Sequence, residues 1–150
     1  MLRSRLSTDD DGSAAVEFIL VGVILLVPLF YLVLVLGQIQ SHALGVESGA
    51  RHLARTIASA HDHAEVADRA DLVRDAISDE YGIDGMVVEV TCLPAGDACP
   101  HAGALVQVVV RADAALPFVP PVFGLDRAAR VPVEAVSVQR VSRAWGTDAR

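Results

Sequence analysis

From Phe18 to Leu36 the sequence reads FILVGVILLVPLFYLVLVL, nineteen residues without a charged or strongly polar side chain. A run of that kind has few destinations. As a helix it covers ~28 Å, close to the hydrocarbon thickness of a bilayer. A helix also satisfies its own backbone hydrogen bonds, which lipid requires. The rival is a secretory signal peptide, with a basic start, a shorter apolar core and a small-x-small cleavage site. Here the run is longer, and Gly37-Gln38-Ile39-Gln40-Ser41 keeps a helical pattern after it. The expectation is a transmembrane helix over 13–37. Pro28 lies mid-run and either bends the helix or is simply tolerated in it. Arg3 and Arg5 precede the span, with Asp9, Asp10 and Asp11 nearer to it. Acids weigh little in the positive-inside rule, so the N-terminus is expected inside.

The segment before the run is Gly12-Ser13-Ala14-Ala15-Val16-Glu17-Phe18. A carboxylate costs about 2.5–3.5 kcal/mol at the bilayer centre and less at its margin, so Glu17 needs a reason to be there. A cut after Gly12 would give Ser13 a new α-amino group four residues from Glu17, on the same helix face. Amine and carboxylate would then pair within one chain or between staggered neighbours. Gly suits a cleavage site because it lacks a Cβ that would obstruct a protease. The plainer alternative is a helix start, with Asp11 or Ser13 as N-cap and Glu17 in the first turns.

A polar leader, Gly, small residues and Glu-Phe ahead of an apolar helix resemble the class III signal of type IV prepilins. More narrowly, Ser13-Ala14-Ala15-Val16-Glu17-Phe18-Ile19-Leu20-Val21 is similar to the start of TadE-like proteins. These are the minor pseudopilins of the tight adherence (Tad, or Flp pilus) machinery. Pro28, the Gly49-Ala50-Arg51 step and the segment Phe118-Val119-Pro120-Pro121-Val122-Phe123-Gly124 resemble the same family. The order of small residues at Ala14 departs slightly from its commonest form. Major Flp pilins resemble this N-terminus but end soon after the helix.

Beyond the span the sequence reads as α+β. Ile39, Ala43, Val46, Ala50, Leu53 and Ile57 recur at alternating four and three, a seam for a neighbouring helix or the chain's own outer domain. Ser41, Gly45 and Gly49 form a stripe of small residues that admits another backbone closely. His42 and His52 read as solvated. His61-Asp62-His63 lacks further ligands at metal-site spacing and reads as a helix break. A second amphipathic helix is expected over Ala64–Tyr81, with Val66, Ala70, Val73 and Ile77 inward and Gly82 as its stop. On it Glu65 and Arg69 attract, while Asp71 and Asp75 repel.

Strands are expected over Met86–Cys92, Ala104–Arg111 and Arg130–Val141, with Pro132 favouring an edge. The loop Leu93–Gly103 carries Pro and Gly, and Cys92 and Cys99 would close it by a disulfide in an oxidising compartment. Phe118, Val122 and Phe123 are expected to pack on the sheet, or else to meet a partner. Ser142–Arg150 reads as a weakly ordered tail in which Trp145 folds back.

Composition removes several functions. All twelve basic residues are Arg, so no P-loop lysine or Schiff base exists. A net charge of −7 argues against nucleic acid. There is no nucleophile elbow or metal-ligand helix, so neither an enzyme nor a cofactor or metal site is expected.

The expected organisation is a cleaved leader over 1–12, the span over 13–37, an extracytoplasmic helical segment over 38–82 and a small β-rich domain over 83–150. The resemblance implies a pilin-like fold and removal of the leader between Gly12 and Ser13 by prepilin peptidase. It also implies pairing of Glu17, beside Phe18, with an N-terminal amine in a bundle. The implied partners are other pilin or pseudopilin subunits and the pilus assembly platform, in a hetero-oligomer. Two alternatives stay open: a minor pilin of a type II secretion or type IV pilus system, and an unprocessed single-pass protein with an outer binding or regulatory domain.

Overall fold

The structure is a computed structural model that describes residues 10–96 and 98–146, with side chains from Ala15 onward. The chain divides into two compact units, Met1–Leu36 and Gly37–Arg150. The fold is α+β. Its elements in order are helix α1 (Asp10–Ser59), helix α2 (His63–Tyr81), strands β1 (Val87–Leu93) and β2 (Leu105–Ala115), the short helix α3 (Leu125–Ala128) and strand β3 (Arg130–Arg140).

Within the first unit α1 is helical on both sides of Pro28. Most of its apolar side chains are exposed: Phe18 is 81% exposed, and Ile24, Val27 and Phe30 are also open. A soluble helix buries one stripe against a core; a helix that is apolar all round does so only in lipid or inside a larger assembly. This stretch is a candidate membrane span.

In the second unit the remainder of α1, α2 and one face of the sheet enclose the core. Val46, Ala50, Leu53 and Ile57 lie in it with Val106, Val108 and Val110. Val66, Ala70, Val73 and Tyr81 of α2 pack at its margin. The seam expected on α1 therefore closes on the chain's own domain, but not at every position. Ala43 is exposed and His42 is buried, the reverse of the expected solvated histidine. The buried face of the helix is rotated there because Gly45 must meet Tyr81 and Ile83, which brings position 42 inward rather than 43.

The start of α2 is fixed by Asp62, whose side chain accepts the Glu65 N–H, and its end by Gly82 in the left-handed conformation. The sheet is antiparallel in the order β1-β2-β3. Pro132 sits on edge strand β3 opposite Asp113, where its missing N–H breaks no ladder bond. β2 runs four residues past the expected Arg111, because Ala112–Ala115 continue the pairing with Arg130–Val133 of β3. Along β2, Val106, Val108, Val110, Ala112 and Ala114 are buried on one face, and Val109 is buried on the other. The opposite face leaves Val136 and Val138 about half exposed.

Candidate functional site

The first candidate site lies at the start of the apolar helix. Gly12 and Ser13 fall within α1, but their side chains and the leader residues 1–9 lie outside the described residues. Glu17 and Phe18 are exposed on α1, and no ion pair joins Glu17 to another described residue. A carboxylate so placed is acceptor-only.

The small-residue stripe divides in two. Gly45 and Gly49 face α2: a Cβ on Gly45 would lie 2.6 Å from Tyr81 Cγ, and one on Gly49 would lie 3.5 Å from Ile77 Cγ2. Ser41 is exposed and takes no part in that contact. The stripe was expected to admit a second backbone; at its two glycines it instead receives side chains of the same chain, Tyr81, Ile83 and Ile77.

Cys92 is the one buried residue of β1, and its sulfur lies at disulfide-bonding distance from Cys99, 2.04 Å. The bridge ties the β1–β2 connection, apart from Asp97, which is outside the described residues. Neither cysteine is left as a free thiol.

The residues of His61-Asp62-His63 are each engaged in holding the fold. His61 contacts the Glu65 carboxylate through its backbone N–H at 2.6 Å and through Nδ1 at 2.9 Å. Asp62 caps α2. The His63 ring meets Trp145 edge-on, with centroids 4.9 Å apart, so Trp145 does fold back. Glu65 also pairs with Arg69. The His61 backbone N–H, then its side chain, then Arg69 hold the Glu65 carboxyl below its ordinary range. Arg74 sits between Asp71 and Asp75, at 3.1 and 3.2 Å, which offsets the expected repulsion.

The outer sheet face carries a charge cluster that the linear pattern did not single out. Arg111 donates to Glu89 at 2.9 Å and to Glu134 at 2.6 Å, one on each neighbouring strand. Those two carboxylates raise the Arg111 pKa further. The signal was present as charges at outward positions of three strands, but it needs the register to be seen. A shallow cleft of about 410 Å³ lies beside this cluster, near Asp113 and Pro132. Arg111 Nε and Nη1 are taken by the chain's own carboxylates, which offset its charge beside the cleft.

Phe118 and Phe123 depart from expectation. They do not pack on the sheet: they are 82% and 102% exposed, with Val122 about half exposed. Both have left-handed φ, 63° and 55°, a conformation rare for bulky residues. Three Pro residues around them hold the connection away from the core.

Comparison with family models, curated proteins and solved structures finds no match.

Proposed function

We propose that this chain is a TadE-like minor pilin or pseudopilin, a structural subunit in the assembly of a Tad/Flp-type pilus. The observation that carries the reading is a single carboxylate, Glu17, at the head of an uncovered apolar helix, four residues after Ser13. In this reading prepilin peptidase removes Met1–Gly12 at the cytoplasmic face. The helix then rests in the membrane with the sheet domain outside the cytoplasm. It leaves by packing against the helices of other pilin or pseudopilin subunits on the assembly platform.

The chemistry is association. Glu17 loses its penalty near lipid when it meets the Ser13 ammonium of its own or a neighbouring chain, since opposite charges attract more strongly away from water. The pairing fixes axial register in a bundle whose other contacts are apolar and slide easily. The all-round exposure of Phe18–Leu36 supports this, because such a surface needs lipid first and other helices later. The bridge at Cys92 and Cys99 suits an oxidising compartment outside the cytoplasm.

Two variants test the reading in the native host. Gly12→Val blocks maturation and leaves a slower-migrating species. Glu17→Ala is still cleaved but fails to enter the assembled structure, as judged by loss from the sheared surface fraction. Normal maturation of Gly12→Val, or normal assembly of Glu17→Ala, contradicts it.

A further inference from the structure

We propose that the open edge of β3 joins two copies of this chain as an antiparallel strand pair, with Glu134 of each copy opposite Arg140 of the other. The proposal concerns the second unit alone and stands whether or not a leader is removed. The sheet order is β1-β2-β3, so β3 is an edge strand, and no other described strand pairs with it. Which of its backbone groups face outward is fixed at both ends. The Leu116 N–H donates to the Ala129 carbonyl at 3.0 Å, and the Val141 N–H donates to the Ala104 carbonyl at 2.8 Å. Each of these bonds continues the β2–β3 register by one pair. Hydrogen-bonded and non-hydrogen-bonded pairs alternate along an antiparallel ladder. The odd-numbered residues of β3 therefore bond to β2, while Glu134, Val136, Val138 and Arg140 turn their N–H and C=O groups to the open edge. Pro132 shares that phase, which is why its missing N–H costs the ladder nothing.

An edge of this kind invites another strand, and proteins commonly blunt it with a bulge, proline or charge. Here the register is unbroken along the strand, and Pro132 blunts only its start. From Glu134 to Arg140 the edge-facing residues read acid, Val, Val, base. Reversed, that order is its own complement. In one antiparallel register Glu134 meets Arg140 and Val136 meets Val138, and the two-fold axis repeats both pairs. Each pair has outward N–H and C=O groups on both sides, so each exchanges two main-chain hydrogen bonds. A slip of one residue sets outward groups against inward ones. A slip of two puts Glu134 opposite Val138, or Val136 opposite Arg140, and loses both charge pairs.

The side chains agree with the backbone. Val136 and Val138 are half exposed on the outer sheet face, and in this register each covers its counterpart on the other copy. Arg111 Nε donates to Glu134 Oε2 at 2.6 Å, which holds the carboxylate on that face. A carboxylate accepts at both oxygens, so it can take Arg140 of a second copy as well. Opposite charges directly across a strand pair attract, and like charges there repel, so the order of charges along β3 selects this partner and this register. The contact uses the same patch on both copies and closes at two.

The pairing sets Ser137 opposite its own counterpart as a non-hydrogen-bonded pair, with Cα atoms about 4.5 Å apart, a separation a disulfide spans. The native cysteines are bridged to each other, so Ser137→Cys adds a single free thiol. The test is oxidation of the full chain in detergent, read by non-reducing electrophoresis. Ser137→Cys is expected to give a cross-linked dimer. Gln139→Cys alone is expected to give none, since its counterpart lies four strand residues away, ~13 Å; mixed with Ala135→Cys chains it is expected to give one. Adding Val138→Pro removes an edge N–H without breaking a bond to β2, and adding Arg140→Glu sets an acid opposite Glu134. Each is expected to cut the Ser137→Cys dimer at least tenfold. No dimer at 137 overturns the proposal. Equal cross-linking of Ser137→Cys and Gln139→Cys overturns it as random collision. An undiminished dimer with Val138→Pro or with Arg140→Glu overturns it in favour of another interface.

Discussion

Gly45 has no room for a methyl group. An added Cβ would meet Tyr81 Cγ at 2.6 Å and Ile83 Cδ1 at 2.9 Å, and the Tyr81 atoms involved lie near its backbone rather than at a flexible end. Gly45→Ala is expected to destabilise the second unit by about 1–3 kcal/mol, the usual cost of overpacking. At Gly49 the nearest atom would be 3.5 Å away, ordinary contact. Gly49→Ala is expected to be neutral or to stabilise by up to ~1 kcal/mol through helix propensity. Denaturant unfolding of the two variants in detergent measures the difference, and equal effects contradict the packing account. Ser41, Gly45 and Gly49 look alike in sequence; only their partners separate them. The same holds for His42 and Ala43. Which adjacent residue turns inward depends on where α1 meets residues 81–83, a contact made across nearly forty positions of chain that no local pattern encodes.

At the scale of elements, the stop of α2 at Gly82 was legible, whereas Asp11 and Ser13, the expected caps of α1, lie inside it, and Asp62 was read only as part of a helix break. Asp62 and Gly82 bound α2 through chemistry that is local to the sequence. The low pKa of Glu65 adds a pH dependence to that element. Its carboxylate is favoured by folding, so the stabilisation is present above the unfolded carboxylate range and is lost as pH falls through the lower folded value. Amide exchange in the first turns of α2 should therefore quicken on acidification, and Glu65→Gln should remove that acid-range dependence. An unchanged pH profile in Glu65→Gln contradicts the assignment. β2 was legible only to Arg111, because Ala112–Ala115 have weak strand propensity and are held by pairing with β3 and by burial of Ala112 and Ala114. The Cys92–Cys99 bridge closes a loop of about eight residues, for which chain entropy gives about 2.5 kcal/mol. Replacing both cysteines by Ser should lower unfolding stability by roughly that amount, and the same drop should follow reduction of the native chain. A loss seen only in the variant would place the effect in packing at Cys92 rather than in the cross-link.

Across the whole molecule, the two units were legible for different reasons. A bilayer imposes length and apolarity directly on sequence, so Phe18–Leu36 is legible residue by residue as a candidate span. The second unit declares its element types, but its surfaces follow from register. The cluster of Arg111, Glu89 and Glu134 appears only when three strands are aligned. Phe118 and Phe123 misled because apolar side chains usually indicate a core, whereas here the left-handed backbone of both residues leaves them exposed. Glu17 stands apart: its oddity is plain in the sequence, and its partner is a matter for the proposed reading. The account depends most on the claim that Glu17 serves a newly made N-terminus. Intact mass and N-terminal sequencing of protein extracted from its native membrane test that claim directly. The account predicts a chain beginning at Ser13, and a mature chain that still begins at Met1 would contradict it.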